Sequence, residues 1–233
     1  MMTRLLILIC GLTAATASLC AQAFEGRVTM TMKDGSAKPV AMNYAMKKDL
    51  IRVDIDAGKG ESASSIMNFT KKEMIMLMPS EKMYMVMPIQ DVADTAKAAA
   101  QDSSPLEKTT ETEVILGYTC TKYLTRDRDT VTEIWAAEGI GMFPGMGAAN
   151  PMKPSPRNAW EAELVEKGFF PMRVVGKNKA GRERFRMEVT AIQKQSLADS
   201  LFTAPEDFER FDMGGGMRDM MKGALKDSLP FGR

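Results

Sequence analysis

Lys71-Lys72-Glu73-Met74-Ile75-Met76-Leu77-Met78-Pro79-Ser80-Glu81-Lys82-Met83-Tyr84-Met85-Val86-Met87-Pro88 is the most informative stretch of the 233-residue chain. Residues two apart on a strand share a face. Met74, Met76 and Met78 therefore lie on one side of the first arm, and Met83, Met85 and Met87 on one side of the second. Ile75 and Leu77, with Tyr84 and Val86, occupy the reverse sides. Pro79-Ser80-Glu81 supplies the turn between them. Both faces of this hairpin are apolar, so each is expected to be covered by other parts of the protein or by a ligand.

The same period continues outward in both directions. Phe24 to Lys33 places Val28, Met30 and Met32 on one face, and Asp34-Gly35-Ser36 reads as a turn. Pro39 to Met46 is the next strand, with a tight connection at Lys47-Lys48-Asp49. Leu50 to Ala57 sets Ile51, Val53 and Ile55 against Arg52, Asp54 and Asp56, the signature of a half-buried antiparallel strand. Ser62 to Thr70 is a weaker one. Downstream, alanine-rich Asp91 to Gln101 reads as a short helix. Strands follow over Thr109–Leu116, Tyr118–Arg126 and Thr130–Ala137. Gly139–Pro156 reads as loose. Asn158–Lys167 is a helix with Trp160, Leu164 and Val165 on one side and Gly168 as its stop. A last hairpin spans Phe169–Gly176 and Arg182–Gln193. Leu201 to Pro205 ends the ordered part, with Phe208 and Phe211 as further packing candidates.

About ten short, evenly spaced strands with few helices predict a mainly β (α+β) domain over residues 24–211. Its expected form is a curved antiparallel sheet, or half-barrel, under two or three short covering helices. Residues 212–233 form a Gly/Met-rich tail. Within it, Met217 to Leu225 has helical spacing behind a Gly214-Gly215-Gly216 hinge.

Residues 1–23 read as a secretory signal peptide. Arg4 precedes the apolar run Leu5 to Leu12, small residues follow, and Ala21-Gln22-Ala23 is a cleavage site, so cleavage is expected after Ala23. The alternative is a lipoprotein signal that acylates Cys20, which Leu19 in the preceding position disfavours. Cleavage after Ala23 leaves Cys120 alone, hence no internal disulfide. Arg4 is the sole charge removed, and the remaining 210 residues carry 30 basic and 30 acidic side chains. That balance argues against nucleic acid or anionic lipid as the main partner. The absence of histidine removes His-based nucleophilic catalysis, His-ligated zinc and the usual general base near neutral pH. These features point to binding, not catalysis, in the periplasm or outside the cell, with no cofactor.

The 22 methionines have three readings: flexible core filler, a deformable pocket for an apolar ligand, or soft-metal binding such as Cu(I). The residues expected to line a pocket are Met30, Met74, Met76, Met83, Met85 and Trp160. A one-residue slip in facing would exchange the hairpin methionines for Ile75, Leu77, Tyr84 and Val86. Met217, Met220 and Met221 are the tail's metal-ligand candidates. Cys120 lacks a histidine to activate it and reads as a buried inert thiol. Asp54 and Asp56 are paired carboxylates on a solvated strand face, and Trp135 reads as structural.

Several segments together resemble a bacterial exported family, domain of unknown function 4412. They are Phe24-Glu25-Gly26, Asp49-Leu50-Ile51-Arg52-Val53-Asp54, Lys82-Met83-Tyr84-Met85, Gly117 to Tyr123, Glu133-Ile134-Trp135 and Leu201 to Pro205. That family brings no established activity or catalytic residue. Its pattern is similar to periplasmic lipoprotein carriers and sensors, whose half-barrels hold acyl chains. The resemblance implies a lipid or lipoprotein acyl chain as ligand. The other readings of the chain are binding of another envelope protein, a methionine-rich soft-metal or oxidation-buffering role, and a purely structural role.

Overall fold

The computed structural model describes residues 24–56, 62–89, 105–127, 129–145 and 159–212. Six strands form the first half of the domain: β1 (Glu25–Asp34), β2 (Val40–Lys47), β3 (Leu50–Asp56), β4 (Ser62–Asn68), β5 (Glu73–Met78) and β6 (Met83–Pro88). The second half holds β7 (Glu107–Ile115), β8 (Tyr118–Arg126), β9 (Thr130–Ala137), helix α1 (Ala159–Glu166), β10 (Phe170–Asn178) and β11 (Glu183–Lys194). A 3-10 turn (Asp199–Phe202) and the two-residue β12 (Glu209–Arg210) follow. All twelve strands belong to one open, curved sheet in the order β12-β6-β5-β4-β3-β2-β1-β11-β10-β9-β8-β7.

The pairing of β1 with β11 joins two meanders into that sheet. Its register puts Gly26 opposite Lys194, where a Cβ on residue 26 would overlap the Gln193 carbonyl oxygen. Glycine there lets the two halves approach closely. The β7–β8 hairpin closes over Leu116 and Gly117 with φ of 51° and 83°. Positive φ at both central residues matches the right-handed twist of the flanking strands.

One face of the sheet carries the main core. Val28, Met30, Tyr44, Val53, Ile134, Val174 and Met187 are buried there together with Trp160 and Leu164 of α1. The opposite face of the β2–β6 half carries a smaller cluster, Ala45, Ile66, Leu77, Leu197 and Phe202. The chain after β11 crosses this face to the far edge, where β12 pairs in parallel with β6. Lys47 ties the crossing down by donating to the Leu197 carbonyl at 2.7 Å and pairing with Asp199 at 2.8 Å.

Two expectations change, and the helix count is met only in part. Among the described residues there is one α-helix, not two or three. The segment Asp91–Gln101 and the tail helix lie outside the described residues, as does the leader 1–23. Gly139–Pro156 is not loose throughout, since Ile140 and Phe143 are fully buried and Phe143 meets Phe170 edge-on at 5.7 Å. Apolar anchoring holds residues 139–145 in place without regular strand or helix, and the rest of that segment lies outside the described residues. The chain beyond Pro205 adds a strand that two residues of sequence could not signal. No described helix is long and apolar enough to cross a membrane.

Candidate binding face

The hairpin β5–β6 pairs Met74 with Met87, Met76 with Met85, and Met78 with Met83. Directly opposed residues point to the same side, so all six thioethers form one ladder. The next strand sets Met67 beside Met74 and Ser65 beside Met76. Val53 follows on β3, Tyr44 on β2 and Val28 on β1. The methionine ladder is thus continuous with the core face that carries Met30, which opposes Met42.

The six nominated residues share this side but differ in setting. Met30 is fully buried, and Trp160 and Met85 retain 6% exposure each. Met30 and Trp160 are integral to the main core, and Met74 packs against it half-buried. Met76 and Met83 are also half-buried, toward the turn end of the ladder. The reverse facing does not occur. Ile75, Leu77 and Tyr84 pack under the returning chain with Leu197, Phe202 and Phe208, and Val86, opposite Ile75, shares that side. Met217, Met220 and Met221 lie outside the described residues.

Sequence reasoning missed the polar groups of this face. Ser65 is 1% exposed and Glu161 2%. Glu161 lies three residues before Leu164, so it falls on the helix side that packs; that spacing was the available signal. The Tyr44 hydroxyl lies 4.0 Å from the Met42 sulfur. Burial, and secondarily the negative charge of Glu161, hold its phenol far above the ordinary range. A groove of about 390 Å³ opens near β8 and β9, lined by Lys108, Tyr118, Tyr123, Glu138 and Phe169 among others. None of the nominated methionines lines it.

Two other sequence candidates resolve into structural roles. Cys120 is fully buried, and burial pushes its thiol up, which suppresses the thiolate. Lys122 instead pairs with Glu111 at 3.0 Å and lies 5.6 Å from the Trp135 ring centroid. Arg52 Nε donates to both carboxylate oxygens of Asp54 at 3.0 Å. Its terminal nitrogens reach Ser64 Oγ and the Leu201 carbonyl, each at 3.3 Å. Asp54 is therefore part of the clamp on the returning chain.

The molecule is a one-sheet β domain with a helix on one face and a strap of chain on the other. It belongs to the family described as domain of unknown function (DUF4412), whose sequence profile matches residues 24–208. No curated protein matches it. Among solved structures it is similar to an uncharacterized conserved protein from Thermus thermophilus (13% identity, 82% of this chain and 91% of that one, TM-score 0.48). It is also similar to MucB in the Pseudomonas aeruginosa MucA/MucB complex (10% identity, 83% and 60%, TM-score 0.45). A third likeness is to the LolA superfamily protein NE2245 from Nitrosomonas europaea (11% identity, 79% and 91%, TM-score 0.32). At these scores the likeness is one of outline, and no activity or partner follows from it.

Proposed function

We propose that this protein is an exported, non-enzymatic binding or sensing domain that takes an apolar ligand, a lipid or acyl chain, on the methionine face of β5 and β6. The carrying observation is the ladder of six thioethers on one side of paired strands, continuous with the core yet half-buried over most of its length. Thioether chains are unbranched and adjust to varied shapes, which suits a ligand without fixed form. An envelope protein presenting an apolar segment is the alternative occupant. Export is supported by the leader reading and by the start of the family match at residue 24.

The test is native mass spectrometry of the protein purified from its own envelope, then titration of the stripped protein with a fluorescent fatty acid. Expected are a co-purifying lipid mass and one probe bound per chain. The double change Met76→Glu with Met83→Glu should weaken the probe at least about tenfold, near 1.4 kcal/mol. Val114→Glu, on exposed β7, should leave it unchanged. Empty protein that ignores the probe, or equal binding by the double variant, overturns the reading.

A further inference from the structure

We infer that the turn end of the methionine ladder is a soft-metal site, in which Met76, Met78, Met83 and Met85 hold one Cu(I) or Ag(I) ion. The register makes Met76 and Met85 one opposed pair and Met78 and Met83 the next. Directly opposed Cβ atoms on antiparallel strands are about 4.5–5.5 Å apart, and residues two apart on one strand about 6.7 Å. The four Cβ atoms thus bound a small rectangle whose centre lies about 4 Å from each. Each sulfur stands two freely rotating bonds beyond its Cβ. Four thioethers can therefore turn toward one point above the strands.

These four residues are the two opposed pairs nearest the turn, beyond the Met74–Met87 pair. Met74 packs against the main core, whereas none of the four belongs to either packed cluster. Met76, Met78 and Met83 are half-buried, and Met85 forms the floor at 6% exposure. Met76, Met78 and Met83 are thus reachable by an ion without unfolding, with Met85 beneath them. The donor set is neutral and soft, which selects a soft monovalent ion over zinc or a hard cation. Among the described residues no three His, Cys, Asp or Glu side chains gather to hold an ion. This inference does not rest on the apolar-ligand reading, although it uses part of the same face.

The experiment is an anaerobic competition titration of Cu(I) against a bicinchoninate chromophore, using the whole exported chain. A parallel Ag(I) titration follows the methionine methyl groups by NMR. Expected are one ion per chain with micromolar affinity or better, and movement of four methyl signals assigned to Met76, Met78, Met83 and Met85. Replacing all four by leucine should weaken binding at least about 100-fold, while Cys120→Ala and Met30→Leu leave it unchanged. Leucine keeps the surface apolar, so the quadruple variant should still take the fatty-acid probe; this separates failure of the metal site from failure of the lipid reading. Binding weaker than micromolar, or movement confined to Met217, Met220 and Met221, refutes the site even if a leucine variant fails to fold.

Discussion

Gly26→Ala tests the seam of the sheet. The added methyl would overlap the Gln193 carbonyl oxygen and lie 3.1 Å from both Gln193 C and Lys194 Cα. Non-bonded carbons prefer about 3.5–4.0 Å. All three obstructing atoms are backbone, so no side chain can rotate away, and the β1–β11 ladder must separate locally. Overpacking of this kind costs about 1–3 kcal/mol, against about 0.4–1 kcal/mol gained because alanine restricts the unfolded chain. A net loss of about 1.3 kcal/mol lowers the melting temperature by about 3–5 °C in a domain of this size. Gly176→Ala is the control: its Cβ would meet Phe185 Cβ at 3.4 Å and Thr130 Cγ2 at 3.9 Å, ordinary contacts. Thermal unfolding followed by circular dichroism measures both. A Gly26→Ala protein melting within error of wild type would refute the close-approach argument, and with it the placement of β1 against β11.

Leu116→Asn should raise the melting temperature by about 1–3 °C, because asparagine tolerates the left-handed φ of 51° at this turn and forms the favoured Asn-Gly pair. An unchanged or lower value contradicts the turn geometry. Phe202→Ala, in the small cluster under the returning chain, should destabilise by up to about 3–5 kcal/mol and open residues 197–210 to limited proteolysis before the sheet. Acid should loosen the same strap. Asp199 and Asp207 are held below the ordinary carboxylate range by hydrogen bonds from Lys47 and Lys82. Their stabilisation is therefore complete above about pH 4 and lost as pH falls through their lower folded values. Hydrogen exchange at 197–211 should be flat from pH 8 to 5, after correction for intrinsic rates, and accelerate below about 4. Loosening near neutral pH would assign the clamp to other groups.

The strands were legible because their side-chain period is two and their turns are punctuated. Tyr118–Arg126 and Thr130–Ala137 were bounded to the residue by Gly117 and Asp127-Arg128-Asp129. Where strand faces are both buried, as in β5 and β6, alternation still separated methionine from Ile75, Leu77 and Tyr84, but it could not say which side met the helix. That is set by register across β4, β3 and β2, a nonlocal property. The strand β12 was illegible because its pairing depends on Phe208 reaching the outer cluster, not on its own two charged residues. The role of Asp54 was hidden for the same reason, since its partner Arg52 donates to the carbonyl of Leu201, 149 residues further along the chain.

The outer side of the sheet is closed in two different ways, and the contrast bears on where binding occurs. Over the β2–β6 half, Leu197, Phe202 and Phe208 cover the apolar side chains of Ile66, Ile75 and Leu77. Over the β10–β11 half, polar side chains need no cover: Arg173 pairs with Glu113 at 2.9 Å and Glu188 at 3.0 Å, and Arg186 pairs with Glu183 at 2.7 Å. Partly exposed ion pairs of this kind add little stability each, but they make the surface wettable. Among the described residues, these two parts of the outer side thus offer an apolar ligand little complementary ground. On the inner side, α1 fills the centre with Trp160 and Leu164, while the half-buried thioethers continue past Met74 toward the hairpin turn. The ladder therefore combines apolar chemistry with access, and substitutions at Met76 and Met83 are the ones that should separate binding from folding.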